Sequence, residues 1–566
     1  MADASTDAAG RGVTREGEPV RVLGIEGTAW CASAAVYDGE RDDFRIESDA
    51  YEPESGGIHP REAAEHMHDA IPRVVETALD WARERHDGDG PPVDAVAFSR
   101  GPGLGPCLRI VGTAARALAR SLAVPLVGAN HMVAHLEIGR HQSGFASPVC
   151  LNASGANAHL LGYRDGRYRV LGETMDTGVG NAIDKFTRHV GWTHPGGPKV
   201  EERARDGEYV ELPYVVKGMD FSFSGIMSAA KQAYDDGVPV EDVCRGLEET
   251  IFAMLAEVTE RALSLTGSDE LVLGGGVAQN ARLTRMLREM CDARGAEFYA
   301  PEPRFLRDNA GMIALLGAKM YAAGDTLPIE DSSVDANFRP DEVPVTWRDG
   351  EDVTIAPESG AEIRGAEAVV DVGDVVTKRR VPKLYRHPEL DERLRATRTR
   401  SEARLTHAAR AEGVPTPVVR EIDDDEGTLV FERVGDCDLA HALTPERVRA
   451  VGEHLAAIHA AGFVHGDPTT RNVRVAPDAR DTDTGDGSDG DDAGGERAFL
   501  IDFGLGYHSE QVEDYAMDLH VFDQSLVGTA TDPDPLRAAV RDGYRDAGDD
   551  RVLDQLAAIE GRGRYQ

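Results

Sequence analysis

Five glycine-rich loops constrain the fold of the N-terminal half more than any other feature. They read SRGPGLGPCLR, NASGAN, HPGGPKVEE, LGGGVAQN and RDNAGM, at residues 99–109, 152–157, 194–202, 273–280 and 307–312. Glycine lets backbone N–H groups approach phosphate oxygens, and a strand-to-helix turn directs a helix N-terminus at an anion. One such loop is an ordinary turn, whereas five in one region predict a nucleotide-binding cleft.

The segments between these loops alternate between strand-like and helix-like patterns. VRVLGIEGT, VDAVAFSRGPG and ELVLGGG each predict an apolar strand that ends in a Gly turn, while RIVGTAARALARSLA predicts a helix. The order strand, Gly turn, hairpin strand occurs near residue 21 and again near residue 148. This repetition predicts an α/β domain built from two related halves, with a ligand in the cleft between them.

The charge of the chain indicates the solvent to which it is adapted. It carries 100 Asp and Glu against 61 Lys and Arg, and only seven of those 61 are Lys. An acidic surface with little lysine suits concentrated salt, in which electrostatic screening shortens to about 3 Å at 1 M. We therefore expect the protein of a halophile, whose acidity does not exclude a nucleic-acid partner.

The composition also indicates the cellular compartment of the protein. The first twenty residues contain no apolar segment of the signal-peptide kind, and no run of 18 apolar residues occurs in the chain. The six cysteines are scattered and form no Cys-x-x-Cys pair. We expect a cytoplasmic protein with reduced, mostly buried cysteines and no membrane partner.

Breaks in composition predict the domain boundaries. We expect a disordered tail at 1–18, a first domain at 19–325, an acidic Pro-containing linker at 326–360 and a second domain at 361–566. Within the second domain, residues 477–497 hold seven Asp, one Glu and two Arg, which predicts a disordered surface loop rather than a docking arm.

Two histidines in the first domain have metal-ligand spacing. His131 and His135 in NHMVAHLE are four residues apart, so on a helix both imidazoles project from one face. The segment lacks the Glu after the first His that a metalloendopeptidase uses as its general base. Metalloendopeptidase activity stays an alternative, but this segment lacks the general base that the reaction needs.

Eight segments in this order resemble the universal tRNA threonylcarbamoyltransferase family, TsaD and its archaeal KEOPS counterpart: LGIEGTA, GPGLGPCLRIV, NHMVAH, the SGAN loop, HPGGPKVE, DFSFSGI, GGGVAQN and DNAGMIA. The resemblance covers residues 20–325. It implies the two-lobed actin-like ATPase (ASKHA) fold. It also implies transfer of threonylcarbamoyl from threonylcarbamoyl-adenylate to N6 of the adenosine at position 37 in tRNAs that read ANN codons.

The resemblance assigns site residues to this chain. One iron or zinc ion would be bound by His131, His135 and Asp308, where a Lewis acid polarises the carbon that the amine attacks. The family's loop usually begins with a tyrosine near or on the metal, where this chain has Asn152, so the fourth ligand stays open; a family glycine is replaced by Ala156. The residues implied for the adenylate are Asn152, Ala153, Ser154, Gly155, Ala156, Asp184, Gly197, Glu201 and Asn280.

The C-terminal part carries motifs of a different kind. HGDPTTRN at 465–472 and IDFGLG at 501–506 have the spacing of a kinase catalytic loop and of a D-F-G motif, and a strand and a helix upstream supply a Lys and a Glu. In kinases such residues hold Mg-ATP and orient the attacking group. The catalytic residue would be Asp467, and ATP would be bound by Gly365, Lys378, Glu402, Asn472 and Asp502.

The stretch KRRVPKLYRHPELDERLRATRTRSEARL, together with HGDPTTRN, resembles the small atypical serine/threonine kinase of KEOPS over about residues 360–566. This resemblance implies a compact bilobal α+β domain that acts as a kinase or ATPase in support of the transferase. It also implies other KEOPS subunits as partners, a small dimerising subunit and a kinase-binding subunit. The chain would then be a natural fusion of the two enzymes from a haloarchaeon.

Two further interpretations stay open. A signalling protein kinase with an inert actin-like module would need a peptide-binding platform, but no A-P-E segment follows D-F-G. Residues 379–410 hold nine Arg and one Lys, which form either a tRNA-binding surface or a helix paired with its own acids.

Overall fold

The computed structural model describes residues 12–51, 59–164, 166–348, 362–476 and 497–560. These residues form two compact units. Unit 1 contains the described residues of 12–214 and 222–348, and unit 2 contains 215–221 and the described residues from 362 onward.

The secondary structure of both units is mixed α/β, as the sequence predicts. The strands, in chain order, are β1 Thr14–Arg15, β2 Glu18–Pro19, β3 Arg21–Glu26, β4 Cys31–Asp38, β5 Asp43–Ala50, β6 Ala95–Gly101, β7 Leu126–Asn130, β8 Val149–Ala153, β9 Ala158–Arg164, β10 Arg167–Glu173, β11 Val216–Lys217, β12 Asp220–Phe221, β13 Glu270–Gly274, β14 Glu297–Tyr299, β15 Glu362–Arg364, β16 Ala368–Val372, β17 Val375–Arg380, β18 Val419–Asp423, β19 Thr428–Glu432, β20 Cys437–Asp438, β21 Phe463–Val464, β22 Val473–Val475, β23 Ala498–Leu500 and β24 Tyr507–His508. The α-helices are α1 Pro60–Arg83, α2 Gly105–Leu122, α3 His131–Ser143, α4 Val179–His189, α5 Gly197–Ala204, α6 Ser224–Asp235, α7 Val240–Thr266, α8 Ala281–Arg294, α9 Pro303–Leu306, α10 Ala310–Ala322, α11 Pro388–Ala411, α12 Pro445–Ala460, α13 Val512–Thr529, α14 Asp534–Ala547 and α15 Asp550–Glu560.

Unit 1 contains two five-stranded sheets with the same topology. Their strand orders are β5-β4-β3-β6-β7 and β10-β9-β8-β13-β14. In each sheet a three-stranded antiparallel meander is extended by two parallel strands. The expectation of two related halves is therefore confirmed.

The first sheet is covered on both faces, because successive side chains of a strand point to opposite sides. Leu23 and Ile25 of β3 belong to the apolar cluster that includes α1 and α2, whereas Val22 belongs to the cluster that includes α3 and α10. At Gly24 the start of α10 comes so close that a Cβ would lie 2.5 Å from the Ala310 carbonyl oxygen. A glycine at this position thus lets the segment before α10, which holds a candidate metal ligand, sit against the sheet.

Part of the predicted linker is an integral segment of unit 1. Asn130, the residue before α3, donates to the Phe338 carbonyl at 2.9 Å. The Arg348 guanidinium is buried and lies 3.6 Å from the centre of the Tyr163 ring. Residues 326–348 therefore brace the start of α3, which composition alone did not indicate because the segment has no periodic pattern. Residues 349–360 of the predicted linker lie outside the described residues.

The last residues of the predicted disordered tail, 1–18, have regular structure. Residues 14–19 form the antiparallel pair β1–β2, and the Val13 amide is bonded to the Tyr37 hydroxyl at 3.0 Å. Residues 1–11 of the tail, and residues 477–496 of the predicted acidic loop, lie outside the described residues.

Unit 2 begins with an antiparallel sheet of strand order β15-β16-β17-β19-β18. The long helix α11 packs against it, with Leu390, Leu394 and Leu405 buried. The remainder consists of α12–α15, a three-stranded sheet of order β20-β22-β23 and the strand pair β21–β24. The hairpin β11–β12 also belongs to this unit. The Lys217 ammonium of that hairpin lies 2.6 Å from an Asp514 carboxylate oxygen.

All six cysteines are unpaired and five of them are buried, as expected. In the part of the chain that the structure describes, no helix combines the length and apolar character that crossing a membrane requires.

Candidate metal centre and nucleotide sites

The side chains predicted to bind a metal come together in unit 1. His131 is the first residue of α3 and His135 lies one turn later, while Asp308 lies two residues before α10. The Nε2 atoms of His131 and His135 lie 3.4 and 3.5 Å from Asp308 Oδ1. One ligand atom from each residue lies within 4.8 Å of the others, which is compact enough to hold one ion.

Local capping explains why both helices begin at this point. The Asn130 side chain accepts from the backbone N–H groups of Met132 and Val133, and the Asn309 side chain accepts from that of Met312. Such N-caps fix where a helix starts and typically contribute about 1 kcal/mol. The two Asn residues thereby fix the turns that carry His131 and Asp308.

A further acid holds one of the histidines, and our sequence reasoning did not single it out. Glu26, buried at the end of β3, has its Oε2 atom 3.1 Å from His131 Nδ1. A carboxylate on the far nitrogen orients a ligating imidazole and makes it more basic. The sequence did contain a signal for Glu26, because this acid lies inside the apolar run LGIEGTA. A charge buried in such a run requires a partner.

The electrostatics of the group also suit a cation. Burial alone would lower the pKa of His131, but the carboxylates of Glu26 and Asp308 raise that pKa to about 10. Burial opposes ionisation of Asp308 as well, yet His131 holds its pKa below the usual range. Burial lowers the pKa of His135, which favours the neutral ring. A bound cation would take the place of the proton on His131.

Asn152, the candidate fourth ligand, lies on β8 near this group. A Cβ on Gly275 would be 2.5 Å from the Asn152 amide oxygen, so the glycine-rich turn after β13 fits closely around it. That oxygen is buried and has no hydrogen-bond partner among the described residues, and the same holds for both ring nitrogens of His159. Burial and the neighbouring His135 lower the pKa of His159 to about 3, so its ring is neutral.

The loop predicted to lie against the adenylate packs on the start of α4. The Gly180 and Asn181 amides donate to the carbonyl oxygens of Ser154 and Gly155 at 3.3 and 2.8 Å. At Gly178 a Cβ would lie 2.4 Å from the Ala156 carbonyl carbon, so this contact requires a glycine. The loop is thereby joined to the helix that carries Asp184.

Further contacts extend from Asp184 to the last predicted adenylate residue. One Asp184 oxygen accepts from the Gly196 amide at 2.8 Å, next to Gly197 at the start of α5. Glu201 on α5 accepts from the Ala281 amide at 3.2 Å, next to Asn280. The predicted residues therefore form one connected set, although the sequence separates them by more than a hundred positions.

The Asn280 side chain is already engaged in structural contacts. Its carbonyl oxygen caps α8, and its amide donates to Glu248 Oε1 at 2.7 Å. Burial, partly offset by that hydrogen bond, raises the pKa of Glu248 to about 7. Glu248 is a second buried acid that our sequence reasoning did not identify.

In unit 2 the predicted Lys–Glu pair is present. Lys378 Nζ on β17 lies 2.9 Å from Glu402 Oε1 on α11 and 2.7 Å from Asp502 Oδ1. Burial alone would raise the pKa of Asp502, but the cations of Lys378 and Arg380 lower it to about 2. Asp502 has a left-handed backbone with φ 64°, a conformation that is uncommon outside glycine and frequent at functional sites.

Hydrogen bonds also join the two predicted functional residues of the catalytic loop. Asn472 donates through its side-chain amide to the Asp467 carbonyl and carboxylate at 2.9 and 3.1 Å. The Ile501 amide bonds to the Asn472 carbonyl at 3.0 Å, which places this loop beside the D-F-G segment. Gly365 lies in the tight turn between β15 and β16, where its amide donates to the Ala368 carbonyl at 2.9 Å.

Comparisons with known proteins bear on both units. The family model described as TsaD: tRNA N6-adenosine threonylcarbamoyltransferase matches residues 42–315. The "probable bifunctional tRNA threonylcarbamoyladenosine biosynthesis protein" of Halobacterium salinarum is 70% identical over 551 residues, which are 97% of this chain and 99% of the relative. The chain belongs to this bifunctional family. The resemblance inferred from the sequence is thus confirmed, and the aligned region spans both units.

More distant proteins extend the comparison. The relative of the same name in Methanospirillum hungatei is 50% identical over 96% of this chain and 99% of its own length. Among solved structures, HypF of T. kodakarensis aligns with a TM-score of 0.37 and 14% identity over 58% of this chain and 51% of that chain. That likeness is too distant to bear on function.

Two further residues hold the unit 2 site together, and the sequence analysis did not find them. Arg380 follows Lys378 by two positions, so it projects from the same face of β17, and its buried guanidinium bonds to the second oxygen of Glu402. Asp518 on α13 accepts from the backbone amides of His465 and Gly466 at 2.6 and 2.9 Å. The signals were the Arg two residues after the Lys and the acid in YAMDLHVF.

The arginine side chains of helix α11 pair largely with acids of the same chain. Arg395 lies 2.8 Å from Asp391, Arg400 lies 2.7 Å from Asp424, and Arg398 is buried against Glu367. These contacts favour the interpretation of a helix paired with its own acids over that of a tRNA-binding surface.

Proposed function

We propose that unit 1 transfers threonylcarbamoyl from threonylcarbamoyl-adenylate to N6 of adenosine 37 in tRNAs that read ANN codons. We further propose that unit 2 is a kinase-like ATPase that supports this reaction. Family membership supports both parts. The single structural observation that carries the proposal is the compact group of His131, His135 and Asp308, in which both histidines are buried, beside a loop set that is suited to an adenylate.

The residues of unit 1 account for the transfer as follows. His131, His135 and Asp308 would hold the iron or zinc ion, which supplies a Lewis acid when bound. Asp184 and Glu201 offer acceptors for the ribose hydroxyls, and the loop at 152–157 lies against the adenylate. The N6 amine forms the new C–N bond and loses a proton, while the C–O bond to the phosphate breaks and AMP leaves. No side-chain nucleophile is required, because AMP is a good leaving group.

The residues of unit 2 suit Mg-ATP. Lys378, oriented by Glu402, would hold the α- and β-phosphates, and Asp502 with Asn472 would bind Mg²⁺. Asp467 would orient a hydroxyl or a water for attack on the γ-phosphate. Whether the acceptor is a serine or threonine hydroxyl or water alone distinguishes a kinase from an ATPase. In a KEOPS assembly, a small dimerising subunit and a kinase-binding subunit would be the partners, in the cytoplasm.

A metalloendopeptidase is disfavoured by the position of the nearby acids. The residue after His131 is Met132, and the acid closest to that ring, Glu26, is bonded to its Nδ1 atom. An acid in that role orients the imidazole and is not free to activate water. A signalling kinase with an inert first module is disfavoured by the compact His131, His135 and Asp308 group.

Cells depleted of this protein test the proposal directly. Their tRNA should lose the threonylcarbamoyl nucleoside, as measured by mass spectrometry of the nucleosides. A wild-type copy and an Asp235→Ala copy should restore it, since Asp235 pairs with His189 at the surface, whereas an Asp308→Ala copy should not. An unchanged level of the nucleoside after depletion would refute the proposal.

A further inference from the structure

Asn152 and His159 form a cross-strand pair. In the antiparallel register of β8 and β9, each is directly opposite the other. Residues in this relation project from the same face of a sheet, with Cβ atoms about 4.5–5.5 Å apart. Both are almost fully buried. The two side chains therefore face the same interior region.

That region is the candidate metal centre. A Cβ on Gly274 would lie 3.8 Å from the Asn152 amide oxygen and 3.7 Å from the His135 Cβ. The Asn152 amide oxygen and the His135 Cβ thus both lie within contact distance of the same point beside Gly274. The Asn152 side chain is therefore close to the base of a candidate metal ligand. Asn152 and His159, side by side on one face of β8 and β9, thus form a wall beside this group.

The polar atoms of this wall lack partners. Among the buried side-chain atoms of the described residues, both ring nitrogens of His135, both of His159 and the Asn152 oxygen have no hydrogen-bond partner. A buried polar group without a partner costs about 1–3 kcal/mol. Such groups gathered at one place indicate that a bound molecule satisfies them.

Distance decides between two roles for His159. Ligand atoms at about 2.0–2.2 Å from one ion cannot be more than about 4.4 Å apart. Asp308 Oδ1 meets this requirement with His131 Nε2 at 3.4 Å and with His135 Nε2 at 3.5 Å. No nitrogen of His159 belongs to the group of ligand atoms that these three residues form. His159 therefore does not belong to the side chains that would hold the ion, and its position opposite Asn152 suits contact with a molecule bound beside the ion.

We infer that His159 donates a hydrogen bond to the oxygen that the metal carries, an oxygen of a phosphate or carboxylate class ligand. Asn152 shares that wall. This inference rests on the proposed metal at His131, His135 and Asp308. It assigns to His159 a positioning role in holding the anionic group of the substrate against the metal, a role for which neither the glycine loops nor the metal-ligand spacing gave any signal.

The test uses the full-length protein loaded with Co²⁺ and titrated with inorganic phosphate, followed by the visible absorption bands of the ion. His159→Leu should bind one Co²⁺ with the wild-type spectrum but should bind phosphate about tenfold more weakly, because one hydrogen bond is removed. His159→Gln keeps an N–H donor and should stay within about threefold of wild type. The matched control His141→Leu, at a histidine bonded to Asp42, should equal wild type.

The outcomes separate the two levels of inference. Unchanged phosphate affinity in His159→Leu would overturn the positioning role. Loss of Co²⁺, or an altered spectrum before phosphate is added, would make His159 a ligand and overturn it as well. If the wild-type protein itself fails to bind Co²⁺, the metal assignment in the proposed function is what falls.

Discussion

The two candidate sites satisfy their buried charges in opposite ways. In unit 2, Lys378 contacts Glu402 and Asp502 within 3 Å, and Arg380 takes the remaining oxygen of Glu402. In unit 1, Asp308 faces His131 and His135 at 3.4 and 3.5 Å. Both nitrogens of His135 lack a hydrogen-bond partner among the described residues.

This difference separates a site arranged by its own residues from one that an ion would complete. A buried ion network keeps its geometry without a ligand when each charge has a partner. A buried imidazole without a partner is costly, and a cation can supply the missing interaction. Removal of metal should therefore affect unit 1 and leave the geometry of unit 2 intact.

The largest expected effect is that of removing the candidate metal ligand Asp308. Asp308→Ala should lower transfer by more than about 100-fold and remove the bound metal, because an ion held by three side chains loses one of them and its only carboxylate. Metal analysis and a transfer assay on purified protein measure both. Asp235→Ala is the control, and wild-type metal content with full transfer in Asp308→Ala would contradict the site assignment.

Replacement of Lys378 tests the candidate site of unit 2. Lys378→Met should lower ATP hydrolysis by about 100-fold or more, because a preorganised cation for the phosphates is removed. Metal content in unit 1 should not change. Phosphate release and metal analysis on the same preparation give both values, and hydrolysis at the wild-type rate would place the ATPase site outside this group of residues.

Arg380 tests whether the network of unit 2 is arranged by its own charges. Arg380→Met leaves Glu402 with Lys378 as its remaining partner and should destabilise unit 2 by about 3 kcal/mol. Unfolding in urea measures the destabilisation. Arg379→Met, at an exposed neighbour on the same strand, is the control. Equal unfolding midpoints for the two variants would show that Arg380 does not support the site.

Glu248 provides a pH-dependent test. Its pKa is raised to about 7 in the folded protein, so the folded state holds a proton that the unfolded state releases above about pH 4.5. Stability attributable to Glu248 should therefore fall as pH rises from about 4.5 to 7, by up to about 3 kcal/mol. Glu248→Gln should remove this part of the pH dependence, whereas Glu76→Gln, at an exposed acid, should not. Unfolding midpoints at constant high salt measure the difference.

The smallest effect is expected for tRNA binding by α11. Replacement of Arg393, Arg395, Arg398 and Arg400 by Gln should lower the unfolding temperature, because at least three of these side chains pair with acids of unit 2. The slope of log K for tRNA against log salt should stay unaltered. A slope that becomes shallower by about 0.7–0.9 for each phosphate no longer neutralised would instead identify a tRNA-binding surface.

Sequence alone predicted those features that depend on local pattern. The alternation of apolar runs and Gly turns predicted two related halves in unit 1, and ordered motifs predicted the Lys378–Glu402 pair. Spacing singled out His131 and His135, and the family resemblance added Asp308. Spacing of four residues places two side chains on one helix face wherever the helix lies. Such local rules, together with the motif resemblance, led from the sequence to the family.

Only the tertiary structure decided which residues far apart in the sequence become partners. Glu26 and His131 are 105 positions apart, and the segment that braces α3 ends at Arg348, more than two hundred positions after it. No local pattern encodes such a contact, because it depends on which strands and helices become neighbours on folding. His159 is the sharpest case. It lies in an ordinary apolar strand, and only the register of β8 and β9 places it opposite Asn152, which lies close to Gly274 and His135 of the candidate metal centre.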